Sequence, residues 1–190
     1  MRNGEIHEHN FSISGGNENT KVYTAFNFFD NKAILENSDF TRYTGRLNVD
    51  QRLGERVNVG INLTASQINS TNASTGNNAG GAEKYNMLQA AYSFAPDREI
   101  YEEDGTFTRS YHPLVTNPAA FLIMDDELTT SRLFVAPKVD ISILSSLKLS
   151  LVGGLDQQNS QRGFYLPRAA ENPQFPNGSA QKSTNNIGNY

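Results

Sequence analysis

The chain has 190 residues, a formal net charge of −4 and no cysteine. That balance removes a general attraction to nucleic acid, and the missing thiols remove disulfides, thiolate metal sites and a cysteine nucleophile. Apolar residues make up 37%, below the ~45–50% of ordinary globular domains (a class that also counts glycine), and no apolar run is long enough to cross a membrane as a helix.

The first segments are strand-like. HEHNFSIS alternates weakly through His9, Phe11 and Ile13, which predicts a strand over about 6–14. KVYTAFNFF is rich in aromatic and β-branched residues and predicts a second, over about 21–29. Phe28 and Phe29 are adjacent, so one of them breaks the alternation, and a bulge is one way to absorb that.

The following segments alternate cleanly. Residues 42–52 put Tyr43, Leu47 and Val49 on one face and Thr44, Arg46, Asn48 and Asp50 on the other. RVNVGINLTASQ, 56–67, sets Val57, Val59, Ile61 and Leu63 against Asn58, Gly60, Asn62 and Thr64. Residues 130–143 set Leu133, Val135, Val139 and Ile141 against Arg132, Lys138 and Asp140. LKLSLVGGLD opens a strand over about 147–157, with Leu149, Leu151 and Leu155 together. KSTNNIGNY, 183–190, predicts a last strand. A side-chain period of two is the strand period, and helical periodicity fails throughout.

The links alternate as well. GGNENT, LGER and LSS suit tight turns, whereas 30–40, 68–128 and 158–182 are longer. Consecutive antiparallel strands send alternate links to opposite ends of a sheet. One end therefore carries tight turns and the other long loops, the asymmetry of an outer-membrane barrel.

The apolar face needs a cover, either lipid or a second sheet. A soluble β-sandwich that binds carbohydrate through its aromatics is the alternative reading. Three features favour lipid. The strands run to about 10 residues, a bilayer-crossing length, against ~5–6 in globular sheets. Phe28, Phe29, Phe40, Tyr43 and Phe134 gather toward the long-loop end, as an interfacial aromatic girdle does. The polar face carries mid-strand charges, which suits a wet lumen. The expected lipid-facing set is Leu47, Val49, Val57, Val59, Ile61, Leu63, Val139, Ile141, Leu149 and Leu151.

Several runs resemble the SusC/RagA family of TonB-dependent outer-membrane transporters of Bacteroidetes. They are HNFSISGGNENTKVY (9–23), SDFTRYTGRLNVDQRLGERVNVGINLTAS (38–66), EIYEEDGTF (99–107) with NPAAFL (117–122), and LKLSLVGGLD (147–156). The resemblance covers essentially the whole chain. It implies an all-β antiparallel meander of about seven strands within a transmembrane barrel of about 22. It implies uptake of glycans or peptides driven through the TonB complex, with a SusD-like surface lipoprotein at the barrel mouth. Its long loops are expected outside the cell. No signal peptide, TonB box or plug is expected within 1–190, so the chain reads as a barrel fragment that transports nothing alone.

Other chemistry is weakly supported. His7 and His9 share a strand face without an evident third metal ligand. Glu102, Glu103, Asp104 and Gly105 lack calcium-loop spacing and read as a turn. Gly76, Gly80 and Gly81 lack the context of a phosphate cradle, and 82–94 suits a short helix. The three histidines, His7, His9 and His112, offer no nucleophile arrangement, so no enzyme and no cofactor are expected.

Overall fold

In the computed structural model, residues 2–72, 87–113, 115–172 and 175–190 are described. The strands are β1 Glu5–Gly16, β2 Thr20–Lys32, β3 Asp39–Leu53, β4 Val57–Thr71, β5 Asp125–Leu144, β6 Leu147–Val152, β7 Leu155–Leu166 and β8 Ser179–Asn189. All lie in one antiparallel sheet, in the order β1-β2-β3-β4-β5-β7-β8, with β6 also paired to β5.

Strands β6 and β7 are collinear halves of one strand path. Val152 pairs with Lys138 and Leu155 with Val135, so the register against β5 is unbroken across Gly153 and Gly154. Pro137 lies opposite this gap. Its missing N–H leaves the Gly153 N–H bond to the Pro137 carbonyl (3.0 Å) without its reciprocal. A register shift sits between Ser142 and Leu144. The expected bulge at Phe28 and Phe29 is absent: β2 keeps unbroken register with both β1 and β3.

Several strands outrun their sequence estimates. β4 continues to Thr71, β5 starts at Asp125, the 147–157 strand continues to Leu166, and β8 starts at Ser179. The added segments are mostly polar, with only scattered apolar residues such as Ile68 and Leu128, so alternation carries little signal there. The links at one end are 17–19, 54–56 and 145–146; those at the other are 33–38, 72–124 and 167–178.

The sandwich alternative is overturned. Among the described residues there is no second sheet, and the buried apolar cluster (Ala90, Phe107, Ala120, Phe121, Met124, Leu166 and Ala170) sits almost wholly in the long loops. Leu47, Ile61, Leu149 and Leu151 are all exposed.

The tight turns form a staircase. The first hairpin ends at Gly16–Lys21, level with Asp50, and β3 runs three residues further to Leu53. The second ends at Leu53–Val57, level with Ile141, and β5 runs three residues further to Leu144. Three residues cover about 10 Å of strand and two strand spacings about 9.6 Å, which gives a tilt of about 45° to the line of turns.

Two glycines hold tight corners. A Cβ on Gly16, φ +153°, would lie 2.1 Å from the Thr20 carbonyl oxygen. One on Gly178, φ +79°, would lie 2.6 Å from the Leu166 carbonyl oxygen. Gly16→Ala or Gly178→Ala in the full-length protein is expected to cost roughly 1–3 kcal/mol. An unchanged midpoint in a denaturant titration of either variant would contradict this.

Candidate functional site

The sheet offers two faces of opposite character and one organised end. Cross-strand pairs link the apolar face: Leu47–Leu63, Val49–Ile61, Val57–Ile141, Val59–Val139, Ile141–Leu149 and Val139–Leu151. All ten expected lipid-facing residues thus share one face, and none is buried. On β5 this face is apolar without interruption from Leu133 to Ile143, about 33 Å along the strand and about 23 Å in height at a 45° tilt. An outer-membrane barrel presents a band about 25 Å tall.

The upper edge of this band slopes. It lies at Phe28–Tyr43 on β2 and β3, at Ala65–Leu133 on β4 and β5, and at Leu155 on β7. Above these come Gln67, Ser131 and Gln157. Across the three strand spacings from β3 to β7 the edge drops four residues, from the row of Tyr43 to that of Leu47. That is about 13 Å over about 14 Å, close to the slope of the turns. Two independent features therefore define the same plane, one from backbone register and one from side-chain chemistry.

The expected aromatic girdle is corrected. Phe28 and Tyr43 lie on the apolar face, with ring centroids 5.2 Å apart, and His9 stacks on Phe28 at 6.1 Å. Phe29, Phe40 and Phe134 lie on the opposite face. Phe29 meets Phe40 edge-on at 5.9 Å, and Arg42 covers its ring at 5.4 Å. Closeness along the chain had grouped residues that strand alternation separates.

The second face is hydrophilic and cross-linked. Arg132 donates two bonds to Asp156 (2.8 and 2.6 Å) and Arg162 two to Asp126 (2.7 and 2.5 Å). The Asp126 side chain is 2% exposed, so the Arg162 fork compensates a nearly dry carboxylate. Lys138 pairs with Asp140 at 2.7 Å, and the Ser150 hydroxyl donates to Asp140 at 2.6 Å. Asn27 bridges Glu8 (2.9 Å) and Asn10 (2.5 Å).

At the long-loop end the links fold together. Helix α1, Met87–Ser93, packs through Ala90 against the 3₁₀ turn Pro118–Ile123, and this packs on the 3₁₀ turn Arg168–Ala170. Residues 82–86 of the expected helix, and Gly76, Gly80 and Gly81, lie outside the described residues. Asn117 is the keystone. Its Nδ2 donates to the carbonyls of Ile100 (2.9 Å) and Thr108 (3.1 Å), and its Oδ1 accepts from the Ala119 N–H (3.0 Å). Asn37, at φ 57°, ties the 33–38 link in by donating to the Leu122 carbonyl at 2.6 Å. Thr108, Arg109, Thr116, Arg168 and Asn172 help line a cleft of about 600 Å³ between two of these loops.

The acidic cluster is a turn, with Tyr101 bridged to Phe107 and Gly105 at φ +82°. The Thr106 hydroxyl, then the Thr106 N–H, hold the Asp104 carboxyl below its ordinary range. His7 sits 3.8 Å from Glu5, and among the described residues no three metal-ligating side chains cluster. The role of Asn117 had one sequence cue, the Asn-Pro step that opens a helical turn. The Asp126–Arg162 pair had none, because its partners are 36 residues apart.

No family model matches the sequence. Two TonB-dependent receptors of Formosa agariphila do. One, P3, is 30% identical over 166 residues, covering 86% of this chain and 17% of the receptor. The other, P26, is 28% identical over 129 residues, covering 68% of this chain and 12% of the receptor. The chain thus resembles a segment of a TonB-dependent receptor. Its fold is SusC/RagA-like: it superposes on the RagAB peptide importer in its closed-closed state with a TM-score of 0.69 at 20% identity, covering 94% of this chain and 20% of that one. A second RagAB transporter structure gives 0.67 at 22% identity, over 95% and 20%. The chain therefore spans about a fifth or less of the length of these relatives, which are receptors and importers, not enzymes.

Asn117→Ala removes both donors from two loop carbonyls and the acceptor that caps the turn. In the full-length protein it is expected to cost the loop assembly roughly 1–3 kcal/mol. Limited proteolysis should show faster cleavage within 87–124 while strand circular dichroism stays unchanged. Equal cleavage rates for variant and wild type would remove Asn117 from this role.

Proposed function

We propose that residues 1–190 form part of the wall of an outer-membrane barrel that imports an oligomeric nutrient, a glycan or a peptide, through TonB-dependent opening. The apolar face meets lipid, and the ion-paired face lines the hydrated lumen. The observation that carries this reading is the sloping apolar band: an uncovered face whose edge runs parallel to the staircase of turns. A sandwich face has no reason to be cut along such a plane, whereas a tilted strand crossing a flat bilayer must be. Row by row, roughly 1.5–3 kcal/mol per buried aliphatic side chain favours placing this face out of water.

The two unpaired edges, β1 and β8, need neighbouring strands, because hydrocarbon does not tolerate open backbone groups. The full-length protein supplies them, and transport belongs to that protein rather than to this segment. The tight turns lie in the periplasm and the loops 33–38, 72–124 and 167–178 outside the cell. The loop assembly around Asn117 shapes the mouth, where a SusD-like surface lipoprotein closes over the cargo. Phe28 and Tyr43, at the band's upper edge, sit at the lipid–water boundary, as aromatic belts do.

Adjacent residues give a matched test of the faces. Ile61 and Asn62 are both exposed, on opposite faces of β4. In the full-length protein refolded into lipid, Ile61→Arg is expected to cost roughly 2–4 kcal/mol and Asn62→Arg about 0–1 kcal/mol. Equal costs would remove the assignment of faces.

Orientation is tested separately. Arg109, whose side chain is 83% exposed, is replaced by cysteine in one full-length variant, and Glu55 in the 54–56 turn in another. An impermeant maleimide on intact cells should label the first and spare the second. The reverse labelling would invert the topology.

A further inference from the structure

Where the apolar band meets the polar rows above it, the sheet carries a shallow groove of about 450 Å³. Its floor is the directly opposed pair Gly45 and Ala65. Their row continues to Phe26 on one side and Leu133 on the other, so two minimal side chains sit between two large ones. Tyr43 and Leu133 are its walls, and Gln67, Ser131, Gln157 and Asn159 stand along its upper rim.

That rim is chemically idle within the chain. The side chains of Tyr43, Ser131 and Gln157 make no hydrogen bond among the described residues, and Gln67 makes only a 3.4 Å contact with Asn69. The Asn159 Oδ1 is buried without a partner, so its carboxamide can turn without breaking an internal bond. Arg132, next to Leu133 in β5, turns its guanidinium to the opposite face, where two hydrogen bonds hold it on Asp156. The groove therefore presents an apolar trough below and uncharged amides and hydroxyls above. This is the complement of an acyl chain joined to a neutral, hydroxyl-rich head rather than to a phosphate-dominated one.

We propose that this groove seats one membrane glycolipid. An acyl chain lies over Gly45 and Ala65 and descends past Leu47, Leu63 and Val135, and the sugar hydroxyls meet the rim amides. The proposal rests on the reading of this face as lipid-facing. It adds a discrete lipid site at a place where that reading requires only generic contact.

The test uses the full-length transporter in nanodiscs of phosphatidylethanolamine, with or without a neutral diglucosyl diacylglycerol. Native mass spectrometry counts the lipids retained. Gly45→Leu and Ala65→Phe fill the trough with apolar atoms that lipid tolerates, and Gln157→Ala strips the rim. The wild type is expected to retain one glycolipid more than any of these variants, with at least tenfold preference over phosphatidylethanolamine. Retention unchanged in the filled variants, or equal retention of the two lipids, overturns the groove as a glycolipid site. A wild-type protein that fails to insert at all, judged by heat-modifiable gel mobility, overturns the membrane reading itself.

Discussion

A single-layer sheet with one apolar face cannot stand in water, and every other feature of this chain answers to that constraint. The face runs from Phe11 on β1 to Leu155 on β7, and no element among the described residues covers it. Elsewhere in the structure apolar burial is confined to the loop assembly, whose core is small and separate. Among the described residues the sheet has no interior of its own, which is why we read it as a boundary between two media.

Given such a boundary, the opposite face has freedoms a folded core would deny it. Arg132, Lys138, Asp140 and Asp156 occupy mid-strand positions, Arg132 paired across the ladder with Asp156 and Lys138 along its own strand with Asp140, and all are partly wet. Gly60 leaves room for Asp50, whose Oδ1 lies where a Cβ would project, 2.9 Å away. The side chains on this face fix their neighbours by charge and hydrogen bonds, those on the other by shape. Strand alternation lets one backbone serve both.

The amphipathic middle of the sheet was legible in the sequence because alternation has content only where the two faces differ. Residues 56–67 and 130–143 show it plainly. Above the band it vanishes: Gln157, Gln158, Asn159 and Ser160 are polar on both faces, and the strand continues there by backbone pairing with β5 and β8. Sequence reading therefore ended β7 too soon and began β5 too late. The aromatics misled for a related reason. Phe28 and Phe29 are neighbours in sequence yet lie on opposite faces, and cross-strand pairing to Tyr43 and Arg42 tells them apart. Contacts that join distant segments, such as Asp126 with Arg162 or Asn37 with Leu122, leave no local trace at all.

The upward continuation of β7 has a mechanical consequence. From Leu155, at the edge of the band, the strand runs eleven residues to Leu166, where the loop core begins. At the tilt set by the turns this stands the loop core about 25 Å above the edge of the apolar band. Bilayers differ in thickness by a few ångströms and proteins absorb the mismatch locally. With the band set in lipid as proposed, such adjustment is spent within the lowest rows of this parapet, and the loop core is insulated from the composition of the surrounding membrane.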